Sequence, residues 1–344
     1  MHLPRNLLLL AASFGWWLAL VCIGVTVTAA ETNTFKNPIA PNGQDPWVVQ
    51  WHSQYWYCWS DGNIRISAAA QLQDIVTRPA TNAVVWTPPQ GQPYSKQVWA
   101  PELHFLQGRW YIYFAADDGR NEHHRMFVLQ SETENPLSAY HFKGQLHDST
   151  DKWAIDGTVL DHAEKLYFIW SGWAGDTNGQ QNLYLAPMSN PWTISGPRML
   201  ISEPNHAWER RGGPPYINEG PQVLQKNGRT FLIYSASGSW TDDYCLGQFA
   251  LTGKDPLSPA SWTKHPEPLF AKTTEVFGPG HCSFVKSPDG TEDWIVYHAA
   301  ISSGSRWRRN LRMQKFTWNG DGTPHFAQPV AAGIELPVPS DSAK

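Results

Sequence analysis

The 344-residue sequence predicts an all-β fold, a five-bladed β-propeller. Three observations carry that expectation. Apolar residues show little helical periodicity; they come in short aromatic and β-branched runs bounded by Gly, Pro, Asn and Asp, the pattern of strands and turns. Five runs look alike: Tyr55–Ser60 (YWYCWS), Trp110–Ala115 (WYIYFA), Leu166–Ser171 (LYFIWS), Thr230–Ser235 (TFLIYS) and Asp293–His298 (DWIVYH). Aligned on their second residues, they recur at intervals of 55, 56, 64 and 63 residues. A steady period marks a repeat architecture, and about 60 residues suit one four-stranded antiparallel blade with its loops.

Each run is preceded by a short strand that opens on a polar residue. In chain order these residues are Asp45 (before Pro46), Glu102 (after Pro101), Asp156 (before Gly157), Glu219 (before Gly220) and His281 (after Gly280). They lie 11, 9, 11, 12 and 13 positions before the second residue of their run. Such placement predicts one structural position repeated five times, on the innermost strand of each blade and facing a central channel. Singly, each has a plain explanation. Asp45 before proline is a turn former, Asp156-Gly157 a hairpin signal, Glu219-Gly220-Pro221 a loop, and His281 a satisfied structural histidine. Recurrence favours convergence for the acids, and leaves Glu102 and His281 as ring members or as their charge and hydrogen-bond partners.

Composition narrows the partners. Net charge is −4, and the basic cluster Arg306–Arg312 is short, which argues against nucleic acid. Nor does the overall charge favour a strongly acidic polymer. The chain holds 19 Trp, and aromatics make 13% of it. Part of this is core, but flat aromatic faces also stack on the C–H faces of sugars. No protein partner is implied.

The N-terminus has Arg5 and then no charge from Asn6 through Ala30. Residues 1–30 are expected to be a secretory signal, with small residues for cleavage near Ala29-Ala30, giving a secreted or periplasmic protein. The alternative is a membrane anchor over residues 7–30, because the apolar stretch approaches the roughly 20 residues that span a bilayer. Either leaves 31–344 as a single propeller domain. Cys58, Cys245 and Cys282 are too few and too scattered for a disulfide framework or a metal motif, and are expected to be buried free thiols.

Clustered carboxylates push each other's pKa apart, so a ring of acids supplies both an acid and a base near neutral pH. A carboxyl pair in an aromatic-lined pocket is the arrangement that hydrolyses glycosidic bonds. The rival use of such a ring is to hold Ca²⁺ or another structural ion on the axis, with His281 as a ligand. No cofactor is required for the first use.

At these residues a resemblance becomes visible. The fivefold repeat, the Asp45-Pro46 opening, Trp99-Ala-Pro-Glu102, Ala154-Ile-Asp-Gly157, Asn218-Glu-Gly-Pro221 and Gly278-Pro-Gly-His281 together resemble glycoside hydrolase family 43 over residues 35 to 335. Within it, "DKWAIDGTVL", "WSGWAGDTNGQQNLYLAPMSNPW" and "YSASGSWTDDYCLG" are most similar to the exo-α-1,5-L-arabinofuranosidases that act on arabinan.

The resemblance implies three catalytic carboxylates: Asp45 as the general base that activates water, Glu219 as the general acid, and Asp156 as the group that tunes and orients Glu219. It implies inversion at the anomeric carbon, which needs the working pair roughly 6.5–9.5 Å apart. It implies that Arg309 contacts the sugar, that Glu102, grouped with the substrate-binding residues, is a structural or water-binding acid, and that His281 lies near an axial ion or water. Trp99 is either a stacking wall or blade core. His123-His124 and Arg210-Arg211 are expected on exposed loops, and residues 203 to 217 at the rim. The implied substrate is a plant cell-wall arabinan or oligosaccharide, or an arabinoxylan. The alternatives are a β-xylosidase or endo-arabinanase on the same fold, or a propeller that binds glycans without cleaving them.

Overall fold

In the aromatic runs, successive residues are all apolar, which a strand tolerates only when both of its faces are buried. The computed structural model describes residues 33–341, and they are arranged in this way. The expected signal or anchor, residues 1–30, lies outside the described residues. On the strand Arg109–Asp117, Tyr111, Tyr113 and Ala115 face one cluster of buried side chains, while Trp110, Ile112, Phe114 and Ala116 face another. The run at 231–234 divides likewise, Phe231 and Ile233 to one side and Leu232 and Tyr234 to the other.

The fold is all-β. After β1 (Thr34–Lys36) come β2 (Trp47–Trp51), β3 (Gln54–Ser60), β4 (Ile64–Ala69) and β5 (Thr81–Trp86), a four-stranded antiparallel sheet in chain order. A second sheet follows from β6 (Lys96–Leu106), β7 (Arg109–Asp117), β8 (Arg125–Ser131) and β9 (Tyr140–Leu146). Next are β10 (Ala154–His162), β11 (Lys165–Gly172) and β12 (Gln180–Asn190), with β13 (Thr193–Ile194) and β14 (Met199–Ser202) on the outer side of β12. The group of β15 (Tyr216–Lys226), β16 (Arg229–Ala236), β17 (Cys245–Leu251) and β18 (Trp262–Lys264) joins it through a short parallel pairing, Gln180 with Tyr216 and Gln181 with Ile217. The last four-stranded sheet is β19 (Phe277–Lys286), β20 (Asp293–Ala300), β21 (Arg309–Trp318) and β22 (Pro324–His325).

Five apolar clusters lie between consecutive strand groups. One holds Cys58 and Ile64 with Leu103 and Trp110; the next, Tyr113 and Met126 with Ile155 and Phe168. Leu160 and Ile169 pack with Tyr234 and Phe249, then Leu224 and Phe231 with Cys282 and Ile295. The fifth joins the last sheet to the first, Trp294 and Leu311 with Val48 and Tyr55. The first strands of the groups touch in the same order: β2 with β6, β6 with β10, β10 with β15, β15 with β19 and β19 with β2. The two ends of the described chain are clasped. β1 pairs antiparallel with β23 (Glu335–Pro337), and the Asn37 amide brackets Met313, donating to its carbonyl at 2.8 Å and accepting its N–H at 3.0 Å. The three cysteines are buried and unpaired.

Candidate active site

Five residues with left-handed backbone mark one position in the five inner strand segments: Asp45 (φ 47°), Ala100 (41°), Asp156 (55°), Gly220 (54°) and His281 (41°). The equivalence follows from register. Two residues further on, Trp47, Glu102, Thr158, Gln222 and Ser283 pair with Cys58, Tyr113, Ile169, Ile233 and Val296 on the neighbouring aromatic strand. On β6, β10, β15 and β19 the ladder slips at this point, as at a β-bulge, which bends the strand and re-aims a side chain. A left-handed backbone costs a residue other than glycine roughly 1–2 kcal/mol, so the surrounding ladder must hold it in place.

This register corrects the spacing expected from sequence. Asp45, Asp156 and His281 do stand at the repeated position. Glu102 lies two residues deeper and Glu219 one residue before, and Ala100 and Gly220 occupy the position itself. Gly220 has a reason to lack a side chain: a Cβ there would lie 3.1 Å from the His281 ring. Its N–H donates to Asp156 Oδ2 at 3.0 Å, tying the strand of Glu219 to Asp156.

A cleft of about 420 Å³ opens over these strands. Asp45, Asp156, Glu219, His281 and Arg309 line it, between walls that include Trp99, Trp153, Trp240 and Trp307. Trp99 is thus a cleft wall, backed by the His124 ring stacked 4.0 Å behind it. Glu102 is not among the cleft-lining residues, so of its two expected roles its surroundings suit the structural one and not contact with substrate. It is buried, and its carboxylate is held by His104 at 2.8 Å and by the Gln222 amide. His124 departs from expectation too, being fully buried 3.0 Å from Asp117, whereas His123 is on the surface.

The two outer carboxylates have opposite surroundings. Asp45 Oδ1 is approached by His281 Nδ1 at 3.2 Å, His298 Nδ1 at 3.3 Å and Arg309 Nη1 at 3.4 Å. Burial alone would raise this carboxyl, but these three neighbours hold it well below the ordinary carboxylate range. Burial pushes both histidines down, His298 to about 3, so at neutral pH the fixed positive charge beside Asp45 is that of Arg309. The Asp45 backbone N–H lies 3.1 Å from the same His298 Nδ1, so that nitrogen either accepts from the strained turn or donates to the carboxylate, according to its tautomer.

Glu219 Oε1 accepts one hydrogen bond, from the Tyr244 hydroxyl at 2.9 Å. Burial, with the charge of Asp45 adding, raises its pKa to about 7 against the pull of Tyr244 and Arg309. Asp156 is pushed well above the carboxylate range by burial and by Glu219, Asp45 and Glu102, with only the Gly220 N–H opposing. At neutral pH the cleft therefore offers an ionised acid and a protonated one.

His298 and Tyr244 were not singled out from sequence. The first carries a signal: the other four aromatic runs end in Ser60, Ala115, Ser171 and Ser235, and only the fifth ends in a histidine. Among the described residues no group of three or more His, Cys, Asp or Glu is arranged to hold a metal ion. No step below runs through an ion at His281.

A carboxylate and a carboxylic acid at the floor of an aromatic-walled cleft define a hydrolase of glycosidic bonds. The chain belongs to Glycosyl hydrolases family 43, whose sequence profile matches residues 35–324. It is 38% identical to the extracellular exo-α-(1→5)-L-arabinofuranosidase of Streptomyces avermitilis, over 92% of this chain and 69% of that protein. To the enzyme of the same description from Streptomyces chartreusis it is 34% identical, over 86% of this chain and 91% of the relative. The crystal structure of an α-L-arabinofuranosidase from Lactobacillus brevis superposes with a TM-score of 0.80 at 33% identity, covering 87% of this chain and 98% of that one.

Proposed function

We propose that residues 31–344 form one five-bladed propeller that releases terminal α-L-arabinofuranose with inversion. Arabinan or an arabino-oligosaccharide is the substrate, and arabinoxylan side chains fit the same chemistry. The unbroken sequence of apolar clusters, last sheet against first, supports the blade count. The extracellular relatives and the expected N-terminal signal support a secreted enzyme.

One observation carries the mechanism: Asp45 is held ionised while Glu219 is held protonated near neutral pH. Asp45 Oδ1 is engaged by its neighbours, so Oδ2 takes the proton of a water. That water attacks the anomeric carbon as the bond to the leaving oxygen breaks, and Glu219 gives its proton to that oxygen. Asp156, itself pushed well above the carboxylate range, keeps the acid in place by holding the Gly220 N–H beside Glu219. Asp45 then releases its proton to solvent and Glu219 takes one up, which resets the pair. No cofactor takes part.

Proton NMR in the first minutes of arabino-oligosaccharide digestion tests this. Arabinose should appear first as the β-anomer, one residue at a time from the non-reducing end. Early arabinobiose and arabinotriose would show an endo enzyme, an initial α-anomer would show retention, and faster release from 4-nitrophenyl β-xyloside than from the α-L-arabinofuranoside would show a xylosidase.

A further inference from the structure

The two sides of the cleft mouth differ in charge. Near Asn121, Trp153 and Asn178 the charged side chains are paired: Asp118 with His123, Arg120 with Glu122, Arg125 with Asp151 and Lys152 with Asp176, all within 3.1 Å. On the other side two loops are fastened to the turn 238–242. The first, residues 208–216, is bound through Gly238 N–H to the Arg211 carbonyl at 2.8 Å. The second, residues 301–308, is bound through Trp307 Nε1 to Ser239 Oγ at 3.2 Å and through Gly304 N–H to Asp242 at 2.8 Å.

These loops carry Arg210, Arg211, Arg306 and Arg308, all exposed, and none has a carboxylate partner among the described residues. Asp242 lies between the loops and offsets one of the charges; Asp243 is already paired with Lys272. Trp240 and Trp307, 6.1 Å apart, form the cleft wall between the two arginine pairs, and Trp307 is 57% exposed. In a protein of net charge −4 this is a local reversal of sign directly beside a sugar-binding wall.

We infer that this arginine rim docks a polymer of carboxylated sugars, the backbone that bears the neutral furanosyl side chains entering the cleft. Guanidinium groups bind carboxylates in a planar two-point fit, and exposed charges act over roughly 8 Å at physiological salt. The whole-chain charge argues against acidic polymers; the rim, being local, does not follow it. This inference rests on the arabinofuranosidase reading for what happens in the cleft, but binding to the rim is measurable without catalysis.

The test uses the full chain and the variant R210Q/R211Q/R306Q/R308Q, with immobilised polygalacturonate as the binding probe. Wild type should be retained at low salt, released as ionic strength rises toward about 0.3 M, and the variant should pass through. In kinetics, the variant should lose roughly threefold to tenfold in kcat/KM on arabinosyl side chains attached to a polyuronate, and nothing on the free neutral oligosaccharide. Equal retention of the two proteins, equal losses on both substrates, or retention on duplex DNA as strong as on polyuronate would overturn the assignment. Absence of hydrolysis on either substrate, with retention intact, would instead strike the cleft reading and leave the rim standing.

Discussion

Asp45 and Glu219 share one cleft and one kind of strand, yet their neighbours drive them apart. Asp45 gathers three nitrogen-bearing partners and stays ionised; Glu219 is buried with one phenol as its hydrogen-bond partner, and stays protonated to about pH 7. The difference teaches that the repeat decides where a carboxylate goes, while side chains from other strands decide what it does. His298 comes from β20, Arg309 from β21 and Tyr244 from the turn before β17.

The sharpest way to break this contrast is to remove each acid. Asp45→Ala should lower kcat/KM by at least about 10³-fold on any substrate, because no other group activates the water. Glu219→Ala should lose roughly 10²–10⁴-fold on arabino-oligosaccharides but far less on 4-nitrophenyl arabinofuranoside, since nitrophenolate leaves without a proton. Equal losses for Glu219→Ala on the two substrates, in a variant that keeps the wild-type circular dichroism spectrum, would mean it is not the acid.

Asp156→Asn sharpens the acid's side. Asp156 is itself pushed well above the carboxylate range, so it holds Glu219 through the Gly220 N–H and not by charge. The amide oxygen of Asn can accept the same N–H, so the alkaline limb of the kcat/KM profile should stay in place. A limb that moves to lower pH would show that Asp156 is ionised beside Glu219 and repels it. Tyr244→Phe should move that limb. The hydroxyl favours ionised Glu219, so its loss moves the alkaline limb up, with the acid limb, governed by Asp45, unchanged. The smallest effect expected is none. Dialysis against EDTA should leave both limbs in place, because the charge beside Asp45 is the Arg309 guanidinium. Loss of activity that Ca²⁺ restores would show an ion doing that work.

Much of this was legible in the sequence, for a definite reason. A strand buried on both faces spells an unbroken aromatic run, so the five central strands announced themselves and their spacing. Asp45, Asp156 and His281 were placed correctly because they share one register. Glu102 and Glu219 were misplaced because a bulge adds a residue without leaving any mark in composition; only strand pairing shows it. His124 was misjudged because its partner Asp117 and its cover Trp99 are not adjacent in the chain. Tyr244 was hidden among tyrosines that serve only as core.

The five left-handed turns have a consequence for how such a protein can change its trade. Three of them present chemistry, and at Gly220 a side chain would crowd the His281 ring. Ala100 is the one socket in which nothing is plugged: its backbone is already bent at φ 41°, and it borders a hollow of about 290 Å³ that shares Asp45 and Trp99 with the cleft. Asn, Asp and His adopt that backbone more readily than other side chains do. Ala100 is buried, so a larger side chain there would have to make room for itself, but it would need no new bend in the chain: the repeat has already supplied the berth.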